Sequence, residues 1–328
     1  MRYALRRLGF FVLTLWAALT INFFLPRLMP GNPAESMIGK YRGNITPQTL
    51  HQLEVLFGLN SQQNLFFQYL HYLGQILSGN FGTSLEFYPR SVSSMIGGAI
   101  WWTLGLVGIT TIIAFLLGTL IGIVSAWRRG GVLDSIVPPV FVITSAIPYF
   151  WVGLMLVLIF SFTVHAFPSA GAYYLSTDNP ALNLTFIQDV VNHAFLPALA
   201  LTITTIGTWI LTMRNTMITT LAEDYVRMAR AKGLPSRRIM FDYAARNSIL
   251  PNLTGFAMSL GFVLSGAILV EDVFNYPGVG QLLLTAVHAE DYPLMQALFL
   301  LITVAVLLAI LIADIVTALL DPRTRTAR

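Results

Sequence analysis

Charge is scarce in this sequence. Of 328 residues only 10% are charged while 55% are hydrophobic, whereas a soluble domain carries about 25% charged residues. That leaves too little polar surface to cover a soluble globule of this size, and lipid has to take its place. Cysteine is absent altogether, which excludes disulfides, thiol chemistry and any zinc or iron–sulfur site built on cysteine. No GxxxxGK[ST] phosphate loop, HExxH pair or GxSxG elbow occurs, so the chain carries none of the common nucleotide, metalloprotease or serine-hydrolase signatures.

What is present is long apolar runs. A bilayer core of about 30 Å needs about 20 apolar residues in helix. Six stretches meet that length, at about 8–29, 99–127, 137–164, 194–213, 251–270 and 294–318. Each is apolar around its whole circumference, which suits lipid and helix neighbours and not a soluble amphipathic helix. Proline within them, such as Pro138, Pro139 and Pro148, is tolerated in membranes because neighbours re-satisfy the freed backbone groups. The first stretch follows a basic start but is too long for a signal h-region, and Pro26–Pro33 offers no small-residue cleavage site, so it reads as a retained helix.

Charge placement gives orientation. With the N-terminus inside, the inner segments hold Arg2, Arg6, Arg7, Arg128, Arg129, Arg214, Arg227, Arg230, Lys232, Arg237, Arg238, Arg246, Arg323, Arg325 and Arg328. The remaining four, Arg27, Lys40, Arg42 and Arg90, lie at the outer end of the first span or in the loop after it. Outer loops 165–193 and 271–293 contain no Lys or Arg. By the positive-inside rule both ends are cytoplasmic and the number of spans is even.

The outer segment 30–95 is too long for a mere connector. Thr46-Pro47 predicts a helix start, and Leu50, Leu53 and Phe57 repeat at helical spacing up to Gly58. A second helix places Phe66, Tyr69, Leu73 and Leu77 on one face and ends at Gly79. Such amphipathic helices suit the membrane surface or the outer rim of a bundle; docking of an outer partner is the alternative. The inner loop 214–250 carries seven basic and three acidic residues. Helix formers run from Leu221 to Lys232, Gly233 frees the backbone, and Leu234 is pushed out of the helical region by Pro235. The pattern predicts a cytoplasmic helix–turn–helix hairpin with small residues (Ala229, Ala231, Gly233) near its tip, where a partner can approach closely. Basic charge alone also fits an ordinary inner loop.

The segment DYVRMARAKGLPSRR…RNSILP (Asp224 to Pro251) resembles the EAA loop of bacterial ABC importer permeases, in the variant of the dipeptide, oligopeptide and nickel group. LPRLMPGNP (Leu25 to Pro33), GNFGTS (Gly79 to Ser84), FPSAG (Phe167 to Gly171), SGAILVEDVFNYPGVGQL (Ser265 to Leu282) and LLDPRTR (Leu319 to Arg325) are similar to further stretches of that group, in the same order. Two positions depart from the wider pattern. Arg227 stands where other importers have the glutamate that names the motif, and EDYP (Glu290 to Pro293) stands where many relatives have R-D-Y-P. The resemblance implies a type I importer fold, all-α, a single permease domain over 1–328 with about six transmembrane helices, and residence in the bacterial inner membrane. It implies a half-transporter, paired with a second homologous permease and two cytoplasmic ATPase subunits and fed by an extracellular or periplasmic binding protein. ATP would be bound by the partners, and the chain itself would need no cofactor. Coupling to the ATPases would run through loop 223–251, at Asp224, Ala229, Arg230, Ala231, Lys232, Gly233, Leu234 and Pro235. Peptide is the expected cargo, with oligosaccharide or a nickel chelate as alternatives.

Nothing points to catalysis or to nucleic acid. The five histidines (His51, His71, His165, His193, His288) are dispersed along outer segments and outer helix ends, which suits solvated or interfacial side chains better than a metal site. Asp314 near the inner end of the last span, and Glu271 with Asp272 at the outer end of the fifth, sit where carboxylates reach water or a partner; the last two alternatively line an outer mouth. Gly118 and Gly122 form a GxxxG that permits close helix contact. Arg214, at the inner end of the fourth span, is placed to snorkel to the headgroups. The rival class is an ion-driven secondary transporter, marked by paired discontinuous helices or a midplane ionisable residue; neither is evident in the sequence.

Overall fold

The computed structural model describes residues 2–28, 64–174, 183–264 and 267–320. The expected helix after Thr46-Pro47, the motif residues 29–33, Ser265 and Gly266, and the tail from Asp321 lie outside them, as does the side chain of Asp314. Among the described residues the regular structure is helical, with one isolated bridge between Thr83 and Ser91. The helices are α1 (Arg2–Leu28), α2 (Leu65–Leu77), α3 (Val92–Trp127, with a π-helical turn at Leu104–Gly108), α4 (Val132–Ala146), α5 (Tyr149–Thr163), α6 (Leu184–Leu221), α7 (Asp224–Ala231), α8 (residues 236–248, π-helical over Ile239–Ala245), α9 (Leu250–Phe262), α10 (Ile268–Val273), α11 (Val279–His288) and α12 (Tyr292–Leu320).

The chain is an all-α, polytopic membrane protein. Three described helices are long and apolar enough to cross a bilayer: α3, α6 and α12 over Tyr292–Ile312. The pair α4–α5 passes the same test jointly but bends by 96° at its break. The stretch read as one span over 137–164 is therefore two helices. Pro148 has no N–H to donate and holds Ile147 in an extended conformation (φ −85°, ψ 128°), which ends α4. Pro138 and Pro139 stay inside α4. The stretch at 251–270 likewise carries no single long helix; α9 ends at Phe262 and α10 is six residues long. Hydroxyls within these apolar helices bond back to carbonyls four residues earlier, as Thr110 does to Leu106 (2.6 Å) and Thr205 to Leu201 (2.7 Å), which removes the cost of an unpaired donor in lipid.

The described chain divides into two compact units, Met1–Trp102 with Gly278–Leu307, and Thr103–Pro277 with Leu308–Arg328. In the first, the face that α2 turns inward is Tyr69, Tyr72, Leu73 and Ile76, while Phe66 and Leu77 are exposed. This corrects the expected face. The tyrosine hydroxyls select it: Tyr69 pairs with Thr20 (2.8 Å), Tyr72 accepts from Asn22 (3.1 Å), and both rings pack on buried Phe23. Asn22 also donates to the Gln296 carbonyl (2.7 Å) on α12. Asp291, in the EDYP segment, is fully buried and caps α12 by accepting from the Leu294 N–H (3.2 Å), an N-cap arrangement. It also accepts from the Ser84 hydroxyl and the Glu86 N–H (3.1 Å), which fastens the end of the GNFGTS segment.

In the second unit α6 is the central post. A Cβ on Gly118 would lie 2.6 Å from the Trp209 Cβ, and one on Gly122 2.7 Å from the Ile210 carbonyl, so the GxxxG of α3 is a seam against α6. Gly207 of α6 meets α4 equally closely, 2.7 Å from the Phe141 carbonyl. Three backbones thus converge, and two of them, α3 and α6, carry the hairpin.

Candidate functional site: the α7–α8 hairpin and its anchorage

Helix α6 ends at Leu221 with Ala222 as its C-cap, and Glu223, extended at ψ 147°, turns the chain into α7. The helix stops where the sequence rules require. Ala231 is the last residue of α7 and Lys232 its C-cap, Gly233 adopts φ +71°, and the Gly233 and Leu234 N–H groups return to the carbonyls of Arg230 (2.9 Å) and Ala229 (3.3 Å). Those bonds form a Schellman motif, in which only glycine takes the left-handed position without strain. Leu234 then folds under the tip, and Pro235 opens α8. Val226, Ala229 and Ile239 form a buried cluster between the two arms, walled by Trp127, Leu221, Leu234 and Tyr243.

This packing sorts the residues expected to couple. Asp224, Ala231, Lys232, Gly233 and Pro235 are exposed. Ala229 is buried among the hairpin's own side chains, and Leu234 is half-buried. Arg230 lies over the Trp127 ring at 5.8 Å, a cation–π contact that ties α7 to the inner end of α3. Asp224 pairs with Arg227 at 3.6 Å, both well exposed, and such a pair adds little. Two apolar side chains that the sequence reading missed, Tyr225 and Met228, stand exposed on α7. Helical spacing is the signal that finds them: with Val226 and Ala229 inward, residues 225 and 228 point away.

The hairpin is anchored as firmly as it is exposed. Met240, Ala244 and Ala245 of α8 pack against Met213 and Met217 of α6 and Ile123 and Ala126 of α3. Asn247 donates to the Tyr225 hydroxyl (3.1 Å) across the two arms, and Thr216 donates to the Ser248 carbonyl (3.1 Å). One turn away, Arg214 does not reach for headgroups as expected. Its Nε donates to Asp134 Oδ1 at 2.6 Å, and Asp134 also accepts from the Ser125 hydroxyl (3.0 Å) and the Gly130 N–H (2.9 Å). A nearly buried carboxylate demands such partners.

The profile of a family described as "Binding-protein-dependent transport system inner membrane component" matches residues 118–326, and that of its N-terminal part matches 1–88. A di/tripeptide transport system permease protein of Pseudomonas aeruginosa is 34% identical, covering 98% of both chains. A dipeptide permease of Lactococcus lactis is 32% identical over 99% of both, and an oligopeptide permease of Bacillus subtilis 32% over 98% of both. The chain belongs to this permease family. Among solved structures, the methionine ABC transporter MetNI in an inward-facing conformation matches with TM-score 0.55 and 14% identity, over 70% of this chain and 97% of that one. That likeness concerns the fold.

At the other end of the same unit, this permease separates the two carboxylates expected at an outer mouth. Glu271 is fully buried and accepts from the Thr103 hydroxyl (2.7 Å), whereas Asp272 is exposed. Burial, and then the Glu271 charge, push the nearby Tyr276 hydroxyl up to about 12. The FPSAG segment is strapped down by the Gly171 N–H on the Phe274 carbonyl (2.8 Å) and by Phe167 stacked on Phe195 (4.6 Å). His193 is buried beside it, against the Asp189 carbonyl (2.9 Å) and the Tyr174 ring, where a solvated or interfacial side chain was expected. Its Nδ1 also lies 3.1 Å from the Asp189 carboxylate. Among the described residues no cluster of three or more His, Cys, Asp or Glu is placed to hold a metal.

Proposed function

We propose that this permease forms half of the pathway of an ABC importer for di- or oligopeptides, and that the tip of α7–α8 docks on a cytoplasmic ATPase. The observation that carries the coupling reading is the hairpin itself. Its outer surface offers Ala231, Gly233 and Pro235 with open space around the glycine, while its inner surface is built into α3 and α6. A push on such a tip is delivered to membrane helices without catalytic chemistry in this chain. The full complex on this reading contains a second homologous permease, two ATPase subunits that bind ATP, and an outer binding protein. Both termini are cytoplasmic, as the charge asymmetry argues. The relatives named for peptides support the cargo assignment; oligosaccharide and nickel chelate remain the alternatives within the same architecture.

The test is reconstitution of the complete complex in proteoliposomes with ATP inside and the binding protein outside. ATP-dependent uptake of a labelled dipeptide or oligopeptide is expected. Uptake of oligosaccharide or nickel chelate in place of peptide overturns the cargo, and uptake by the lone chain on a proton or sodium gradient overturns the class.

A further inference from the structure

We propose that the Asp134–Arg214 pair is a positioning clamp that makes the inner ends of α3, α4 and α6 move with the hairpin as one rigid body. The proposal rests on the coupling reading above and adds to it which residues carry the push beyond the hairpin.

The geometry is specific. On α6, Arg214 lies between Met213 and Met217, the two residues that pack against α8. The same turn of α6 is therefore held from one side by the hairpin and from another by α4. Asp134 collects donors from three separate pieces of chain: Ser125 on α3, Gly130 in the α3–α4 turn, and Arg214 on α6. Its side chain is only 7% exposed and that of Arg214 22%, so water does not compete effectively for either group. Farther along, α4 meets α6 through Phe141 on Gly207 and through a long Thr144 contact to the Ile203 carbonyl (3.4 Å). Apolar packing is non-directional, whereas a short charge-assisted hydrogen bond fixes both distance and angle. The clamp thus sets the register of α4 against α6 at the end nearest the hairpin. The backbone break at Ile147–Pro148 is where rotation of α4 can be taken up without carrying α5 along.

Removing one partner leaves an uncompensated, nearly buried charge, and assembly then suffers whatever the role of the pair. The deciding variant is the neutral double, Asp134→Asn with Arg214→Gln, which keeps hydrogen-bonding groups and strands no charge. Wild type, the double and Arg214→Lys are compared in the complete reconstituted transporter. The readouts are complex recovery, peptide taken up per ATP hydrolysed, and the distance between spin labels on Val132→Cys and Ser236→Cys with and without trapped ATP. In wild type the label distance is expected to stay fixed through the ATP cycle. The double should assemble like wild type, lose its fixed label distance, and drop in uptake per ATP by about tenfold, within the range of coupling between contacting residues. Wild-type uptake per ATP with a fixed label distance in the double overturns the clamp and leaves the pair merely structural. A label distance that changes with ATP in a wild-type complex that still transports also overturns it, without touching the coupling reading. ATP hydrolysis with no uptake by the wild-type complex overturns the coupling reading, and the clamp with it.

Discussion

Substitution of Gly233 separates the hairpin's shape from its role as a docking surface. Two effects are superposed at this residue. Its φ of +71° penalises any side chain with a Cβ, by about 1–2 kcal/mol for an ordinary L-residue in the left-handed region and less for asparagine, which tolerates that region. A Cβ built there meets nothing within 4 Å in the chain itself. Steric damage from a substituent must therefore come from outside the chain. Gly233→Asn should keep the Schellman turn and the Val226–Ala229–Ile239 cluster, so that the variant inserts and purifies like wild type. Even so, it should lower recovery of the ATPase-bound complex, or ATP hydrolysis coupled to uptake, because the added side chain stands where the partner approaches. Gly233→Leu adds backbone strain and greater bulk and should be worse on both counts while still inserting, since it lies outside every span. The assay is complex recovery and substrate-stimulated ATPase in one preparation. Wild-type values for both variants would exclude docking at the tip and leave the hairpin an ordinary basic loop.

Three further outcomes follow from the packing. Gly122→Leu places side-chain atoms where even a Cβ falls 2.7 Å from the Ile210 carbonyl and 2.8 Å from the Met213 Cβ; it should lower the melting temperature in detergent, with a cost of about 1–3 kcal/mol or more, whereas Gly97→Ala, with no neighbour within 4 Å, should not. Asp291→Ala removes the α12 cap and the anchor of residues 84–86, a loss of about 1–2 kcal/mol for the cap alone, read as faster proteolysis within 79–91. Single cysteines are free of background in this chain: Ser236→Cys should react with an impermeant thiol reagent only once the cytoplasmic face is opened, and Ala170→Cys in intact cells, with labelling of both from one side contradicting the orientation.

Local rules make much of the hairpin legible in the sequence. The stop at Gly233-Leu234-Pro235 depends on glycine's freedom and on proline's effect on its neighbour, both properties of adjacent residues, and the structure ends α7 there. Apolar run length likewise marked α3, α6 and α12, but not the breaks after Ala146 and Phe262. What depended on distant partners was not legible. The burial of Ala229 and the seat of Arg230 over an aromatic ring depend on Trp127, about a hundred positions earlier in the chain. The inward face of α2 is decided by polar groups on α1. Pro138, Pro139 and Pro148 look alike in sequence, yet only Pro148 breaks the span, because an interior proline's cost is set by whether surrounding groups re-satisfy the backbone. Asp134 and Arg214 lie 80 residues apart. An aspartate following Gly130-Gly131 in a basic inner loop was the one hint of that pair, and only the convergence of α3, α4 and α6 gives it meaning.

On the proposed reading this permease receives ATP-driven motion through the exposed tip of α7–α8. The most direct measurement places a single cysteine at Ala231, which is exposed, opposite cysteines introduced along the surface groove of the cognate ATPase in the assembled transporter. A cross-link to the ATPase is expected, with a yield that changes when ATP is trapped. Free reaction of that cysteine with a soluble thiol reagent, and no cross-link, in a complex that remains intact and transporting would contradict it.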